Sequence, residues 1–459
     1  MMAGKVLIIG AGLTGLSTAF HLEQMGGIDY SVYEKEEKVG GLCRSDYVRC
    51  AGFEGMFTFD ILGHLLHLKK EYTKALVQEL LKGNLKRHFR NSWIYSKRVY
   101  TKYPFQANTY GLLPKVVKEC VFGFIDAKYG SVHSSRLSSR ESFYDWILQN
   151  FGKGIAKHFM IPYNQKIWRV HPRDLTCGWL KYVPSPNIQE VVIGALSKWR
   201  RGLGYNVTFL YPEFPYPEKG GIQRLPDAFA ARIKNLELGR NLSKVNIRKK
   251  VAYFNCGKIK KNFQILVSTI PLKELVLKII EDVPEEIKKA ARKLRYTSVL
   301  NLNIGVKRKN IDRGDWVYFP EKKYIFYRAG FPKKFSENMC PPDTSSVYVE
   351  IACKPGDITR EKKGNLKARA EKDLIKAGIL KREDEILVRH LQSIPYAYVI
   401  YDENRDRKLE IIQNYLRGKD IYSVGRYGGW KYSTMEEAIL EGKEVAEKIR
   451  ERLAKTSKG

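Results

Sequence analysis

Three glycines near the start of the chain are spaced for one task. Gly10-Ala-Gly12-Leu-Thr-Gly15 follows the apolar run of residues 5–9 and precedes Leu-Ser-Thr-Ala-Phe-His-Leu, whose spacing is helical. Such a pattern is weak alone; between a buried strand and a helix it reads as the turn that receives a dinucleotide pyrophosphate. Gly10 makes the tight turn, Gly12 lets backbone approach the phosphates, and Gly15 lets helix pack on strand. Leu13 and Thr14 then present N–H groups at the positive end of the helix dipole. A second strand, residues 29–34, ends at Glu34, 24 residues after Gly10. A carboxylate there accepts from a ribose hydroxyl, with Lys35 beside it. The competing reading, a solvated glutamate among Lys35, Glu36 and Glu37, leaves the glycines unexplained.

Val39-Gly40-Gly41-Leu42-Cys43-Arg44-Ser45 comes next. Its glycines permit another close approach, and Arg44 brings a cation to a pyrophosphate. The segment resembles the GG-x-x-R-S element of FAD-dependent amine oxidoreductases. That resemblance selects FAD over a nicotinamide cofactor.

The elements that position these residues follow from periodicity. A helix is expected at about 69–82. Residues 84–103 hold six basic residues and no acid, with Trp93, Tyr95 and Tyr100 interleaved. That composition suits a single-strand nucleic-acid platform, but an exposed basic hairpin explains it more simply. Amphipathic helical stretches cover 114–128, 139–168 and 187–200. Residues 220–233 read as a turn entering a helix. Short strands fill 242–270, ending in a strand that returns to the first sheet. Residues 298–353 and 385–402 are strand-rich. The chain closes with a strand at 420–424, a Gly-Arg turn and a charged helix to about 452, opened by the capping-box pattern Thr434-Met-Glu-Glu437.

The expected fold class is therefore α/β. A discontinuous Rossmann-like FAD-binding domain comprises 1–90, 204–290 and 412–459. A helical insert comprises 104–203, and an antiparallel sheet domain 291–411.

Composition sets bounds. The chain has 459 residues, 44% of them hydrophobic, and a formal net charge of +32. That is globular composition, and the charge points either to an anionic partner or to a Lys-rich surface of thermophile type. Seven scattered cysteines form no CxxC pair. They argue against a disulfide framework and against a structural metal, and they fit a reducing, cytoplasmic setting. The uncharged run Val6–Phe20 is too short to span a bilayer.

Further motifs, in order, resemble the UDP-galactopyranose mutase family, in particular its eukaryotic-type branch, over nearly the whole chain. Gly63-His64 resembles the helix-start Gly-His beside the flavin ring. Tyr103-Pro-Phe105-Gln106 resembles the element that contacts uracil. Pro162-Tyr-Asn164-Gln-Lys-Ile-Trp168 resembles the helix whose Asn and Trp enter the nucleotide pocket. Asn206 matches a substrate-contacting asparagine. Trp316, Tyr318 and Arg328 resemble a hairpin with an aromatic pair and a diphosphate-binding arginine. Tyr398 and Tyr432 resemble the two diphosphate tyrosines. Gly425-Arg426 resembles the C-terminal FAD signature, and Leu42, Val245 and Met435 complete the implied cofactor set. Two positions depart from the family: Lys181 lies where a second diphosphate arginine is usual, and Leu62 replaces the glycine before Gly63.

The resemblance implies interconversion of UDP-galactopyranose and UDP-galactofuranose, with reduced flavin N5 attacking the anomeric carbon. NAD(P)H is then a candidate external reductant. His64 tunes the flavin, while Arg328, Tyr398 and Tyr432 hold the leaving UDP. The chemistry agrees with the residue types: a guanidinium and two hydroxyls suit a diphosphate. The alternative is an FAD-dependent oxidoreductase of amine oxidase or protoporphyrinogen oxidase type. The implied partner is a UDP-sugar. No nucleic acid and no transmembrane segment are expected, although the basic surface is compatible with lying near an anionic membrane.

Overall fold

The computed structural model describes residues 5–130, 141–197, 213–357 and 359–456. Its organising element is the strand Val6–Ile9, whose four apolar side chains are all buried. A strand buried on both faces is the signature of a parallel sheet. Val6 to Ile9 pair in register with Tyr30 to Tyr33 on one side and with Ile265 to Ser268 on the other. Strands Ile421–Ser423 and Leu236–Glu237 complete a five-stranded parallel sheet. Strands near residues 6, 30, 236, 265 and 421 share one sheet, so the nucleotide-binding fold is discontinuous, as expected.

The first and last helices close this unit. Leu13–Met25 packs against Met435–Thr456, and the Ser17 hydroxyl donates to the Ile439 carbonyl at 2.6 Å. Gly442 allows the approach: a Cβ there would lie 2.5 Å from Ser17 Cβ and 2.7 Å from the Thr14 carbonyl oxygen. The capping box forms, with the Glu437 carboxylate accepting from Thr434 N at 2.7 Å and the Thr434 hydroxyl accepting from Glu437 N at 3.2 Å.

The second layer is a seven-stranded, mainly antiparallel sheet. Its strand order is Ile386–Val399, Tyr296–Val306, Ser345–Cys353, Arg328–Gly330, Trp316–Tyr318, Ser92–Ser96 and Val99–Lys102. The basic run at 84–103 is therefore not a free hairpin. Its second half forms the sheet edge, and Ser92–Ile94 pair in parallel with Trp316–Tyr318. Lys86–Phe89 pairs instead with Glu213–Tyr216. Ile94 and Tyr95 point to opposite faces and both are buried, so the segment is a sheet component covered on both sides despite its charge.

The helical part comprises Pro114–Tyr129, Phe143–Ile155, Ile161–Trp168 and Ile188–Leu196. The expected stretch 139–168 is not one regular helix; residues 139–140 and 198–200 lie outside the described residues. Gly152 leaves the helical region at φ 73° and ψ 173°, and a π-turn at Ala156–Met160 precedes Pro162, which lacks an N–H. At Gly152 a Cβ would sit 1.8 Å from the Gly123 carbonyl oxygen, so the two long helices meet backbone to backbone.

One buried cluster runs from Val6 through Phe105 and Phe143 to Val299 and Tyr398, across the expected domain limits. Two of those limits, 290/291 and 411/412, fall inside the helices Glu285–Arg292 and Arg405–Arg417. Residues 91–103, assigned to no domain, belong to the large sheet.

Gly442→Ala should lower unfolding free energy by ~1–3 kcal/mol in urea titration, because the new methyl meets backbone. Gly364, exposed in the helix Arg360–Lys376 with nothing within 4 Å of its Cβ position, is the contrast. Gly364→Ala should instead stabilise by ~0.5–1 kcal/mol.

Candidate active site

The glycine turn leaves Ile9 with Gly10 at φ +96°, and a Cβ there would meet Thr269 Oγ1 at 2.4 Å. At Gly15 a Cβ would lie 2.0 Å from the Gly10 carbonyl oxygen, whereas at Gly12 it would meet no protein atom within 4 Å. Gly12 is the N-cap, the first helix has no side-chain cap, and its first turn carries no acid. Glu34 is 7% exposed and accepts from Ala11 N at 2.7 Å and Glu36 N at 3.0 Å. Lys35 is surface-exposed beside it and pairs with Glu36. The glycine pair closes over this turn: Gly40 N donates to the Ala11 carbonyl at 2.8 Å, and Gly41 approaches Gly12 Cα. Leu13 and Thr14 are buried behind it, and Leu42 packs at the edge. Gly425, at φ +78°, would place a Cβ 3.0 Å from Thr14 Oγ1, so the C-terminal Gly-Arg turn abuts the same helix end. Met435 Sδ lies 3.6 Å from Cys43 Sγ. Val245 is wholly buried in the neighbouring three-stranded sheet, and its carbonyl accepts from Glu281 N.

These residues fit FAD. The Arg44 Nε is buried with no hydrogen-bond partner; the Asp46 carboxylate stands 4.0 Å away, beyond hydrogen-bond reach, so the donor suits a closer anion. The uncapped helix start and the clear space at Gly12 provide the rest of a pyrophosphate cradle.

His64 lies where the cradle meets the large sheet. Its Nδ1 is 3.3 Å from the Leu62 carbonyl, so Nδ1 carries the proton and Nε2 is left as an acceptor. Burial, reinforced by Arg426 and Arg328, pushes its pKa down to about 4 and keeps the imidazole neutral. Leu62 holds a φ of 68°, so the chain keeps a left-handed turn where glycine is usual. Gly63 has no room for a side chain: a Cβ would lie 2.0 Å from Tyr348 Oη and 2.7 Å from Trp316 Nε1.

Beyond His64 the strand register gathers aromatic and cationic groups. Tyr318 pairs with Arg328, and Arg328 pairs with Glu350. Arg328 Nε and Nη2 donate to Glu350 Oε1 at 3.0 and 2.6 Å, and Glu350 has no exposure. The Arg328 guanidinium also lies over the Trp316 ring at 5.0 Å. Tyr398 Oη is 3.4 Å from Tyr327 Oη, and the Tyr398 ring lies parallel to Tyr432 with centroids 6.2 Å apart. Arg426 donates to the Ala397 and Ser433 carbonyls and lies over both tyrosine rings. It thus orders the tyrosine pair as well as the Gly-Arg turn.

Tyr103 stacks on Tyr318 at 4.9 Å. Arg90 sits over Tyr103 at 4.5 Å and donates to Tyr318 Oη at 3.1 Å and to Ser92 Oγ at 3.2 Å. Gln106 donates to the Pro184 carbonyl, and its Oε1 is buried without a partner. Trp168 is edge-on to Tyr398, and its indole donates to Asn164 Oδ1 at 3.1 Å.

Three expectations change. Phe105 has no exposed face; its ring stacks on Phe159 within the core, so it packs rather than presenting itself to a base. Lys181, which stands where a second diphosphate arginine is usual, is solvent-exposed and pairs with Glu437 at 2.6 Å. Asn164 is committed to Met160 and Trp168 and shapes the wall. Asn206 lies outside the described residues. The sequence reading missed Arg90, Tyr163, Tyr327, Tyr348 and Glu350. Only Arg90 had a local signal, the basic run; the others are recruited by strand register and helix packing.

Among the described residues, no cluster of His, Cys, Asp and Glu could hold a metal ion, and no helix is long and apolar enough to cross a membrane. The parallel sheet and its cradle define a flavoprotein that binds FAD. A family model described as flavin containing amine oxidoreductase matches residues 13–450, and the chain belongs to that family. The fold is similar to a solved reduced UDP-galactopyranose mutase, with TM-score 0.86 and 25% identity over 97% of this chain and 95% of that one. It is similar in fold to a putative protoporphyrinogen oxidase from Exiguobacterium sp. 255-15, with TM-score 0.73 and 14% identity over 98% and 99%. Putrescine oxidase bound to putrescine matches at TM-score 0.61 and 16% identity over 97% and 98%.

Gly12→Ala should leave the apoprotein's denaturation midpoint unchanged while weakening FAD binding about tenfold or more, because only the ligand approaches that site. Gly15→Ala should destabilise the apoprotein itself. Fluorescence titration of FAD and urea denaturation distinguish the two. His64 carries a depressed pKa, so its contribution to stability is complete above about pH 6.5 and falls as pH drops toward 4, when only the unfolded chain takes up the proton. Histidine-selective NMR should find the His64 imidazole neutral at pH 5.5.

Proposed function

We propose that this chain is a flavin-dependent, mutase-like isomerase that interconverts UDP-galactopyranose and UDP-galactofuranose. The observation that carries the reading is the Arg328 cluster: one guanidinium held by Glu350 over the Trp316 ring, with Tyr398 and the neutral His64 within its electrostatic reach. Reduced FAD, when bound, supplies the nucleophile for the anomeric carbon. The protein's task is then to hold the departing UDP while the sugar ring rearranges, a matter of position rather than of proton transfer.

Arg328 suits that task. Glu350 takes its Nε and Nη2, which fixes the guanidinium plane and leaves the Nη1 side for a diphosphate oxygen. Burial and nearby charge push the Tyr398 hydroxyl pKa up, so Tyr398 stays a donor at any ordinary pH. The unsatisfied Gln106 Oε1 suits an imide N–H of a pyrimidine base. His64 Nε2 offers an acceptor at the flavin end.

An oxidase of the amine or porphyrinogen type is the second reading, favoured by the family as a whole. Dithionite-reduced enzyme supplied with UDP-galactofuranose should yield the pyranose by chromatography. No conversion with FAD bound, together with oxygen-dependent turnover of an amine or porphyrinogen, would overturn the mutase reading.

Arg328→Ala strands Glu350 in the sheet, which costs ~3–5 kcal/mol. The paired variant Arg328→Met, Glu350→Leu removes both charges. It should retain FAD and lose UDP affinity by about 30-fold or more in calorimetry, the scale of one charge-assisted hydrogen bond.

A further inference from the structure

Lys166 lies on the helix Ile161–Trp168, between Asn164 and Trp168. Its Nζ donates to three backbone carbonyls: Phe319 at 2.7 Å, Glu321 at 3.1 Å and Phe326 at 2.6 Å. All three belong to the turn joining strand Trp316–Tyr318 to strand Arg328–Gly330. An ammonium has three N–H bonds, so every one is spent on this turn.

The hairpin needs the help. Its ladder has only three register pairs, Trp316 with Gly330, Val317 with Ala329 and Tyr318 with Arg328. The turn beyond them carries carbonyls that no strand partner takes up. On its other side, Ile325 N donates to Asp373 Oδ2 at 2.8 Å, and the Asp373 carboxylate is held by Arg369. One backbone donor of the turn thus meets a carboxylate, and three of its acceptors meet an ammonium.

We infer that Lys166 is a positioning residue that clamps the tip of the Trp316–Gly330 hairpin to the pocket helix and thereby sets the placement of Tyr318, Tyr327 and Arg328. Helix and hairpin pack directly on each other: Tyr163 lies edge-on to Tyr318 at 5.7 Å and to Tyr327 at 6.3 Å. Among the described residues, no other side chain of the helix hydrogen-bonds the hairpin backbone. Burial alone pulls the ammonium down to about 7, with Asp373 and Glu321 acting in the other direction. The carbonyls replace the water it has lost. The consequence for ligand affinity rests on the nucleotide-pocket reading; the clamp itself does not.

The test is Lys166→Met, which keeps the length of the stem and removes the three donors. It should retain the flavin absorbance and normal amide exchange in the parallel sheet, strands Val6–Ile9 and Ile265–Ser268. Amide exchange at 319–327 should rise, and UDP affinity by calorimetry should fall about tenfold or more, as expected for a misplaced contact group. If this variant does not fold, Lys166→Gln, with two N–H donors for the same carbonyls, should show both effects in weaker form. Unchanged exchange at 319–327, or raised exchange with unchanged UDP affinity, would overturn the proposal. So would loss of protection everywhere at once in both variants, which would make Lys166 a residue of general stability. If wild-type protein binds no UDP, the nucleotide reading fails, and the exchange at 319–327 still decides the clamp.

Discussion

The Arg328–Glu350 pair is the constraint around which the site is arranged. Glu350 has no exposure and Arg328 little, so both charges have left water. Such a pair is tolerable only when geometry and further hydrogen bonds compensate the lost hydration. Here the geometry comes from strand register: Arg328 stands directly opposite Glu350 across the seven-stranded sheet. A slip of one residue would turn either side chain to the other face. The same register puts Tyr348 against Gly330 and Trp316, and Trp316 against Gly63. The His64 segment can therefore approach the sheet only because Gly63 has no side chain. One ion pair links sheet register, the aromatic cage and the flavin end of the site.

How much of this was visible in the sequence depended on range. Gly10, Gly12, Gly15 and Glu34 were legible because a turn between strand and helix is a local event with its own spacing. The Thr434–Glu437 capping box was legible for the same reason. The discontinuous parallel sheet followed from strands at both ends of the chain. Lys166 and Glu350 were not legible: each acts across more than twenty residues, through pairings that no periodicity encodes. Phe105 was misjudged in the opposite sense. An aromatic in a motif looked like a ligand platform, whereas stacking on Phe159, itself stacked on Tyr163, gave it a core position. Lys181 was placed where a second diphosphate arginine is usual, and the sequence had no means of placing Glu437 beside it.

The net charge of +32 divides in the same way. Most basic side chains stand in water, and their ion pairs, such as Lys74 with Glu71 or Arg232 with Glu79, are worth little individually. The informative cations are the few taken out of water. Arg90, Arg328 and Arg426 all lie against the aromatic rings that wall the candidate site. Of these three, only Arg328 has a carboxylate within ion-pair distance among the described residues. Arg426 relies on carbonyls and ring faces, and Arg90 on hydroxyls and ring faces, with Asp315 acting through space.

Three guanidiniums against one paired carboxylate leave the wall positive. Ring faces and carbonyl dipoles stabilise a cation without neutralising it, so the charge remains available to an anion. A wall built from carboxylates would have cancelled it, and bare guanidiniums would have cost their full desolvation. The structure takes a middle course. Its cations are rigidly held, dehydrated and already oriented, which removes the reorganisation that a flexible surface lysine requires on binding. The diffuse surface charge raises the local concentration of anions; the three held guanidiniums differ from it in having their directions fixed by the fold.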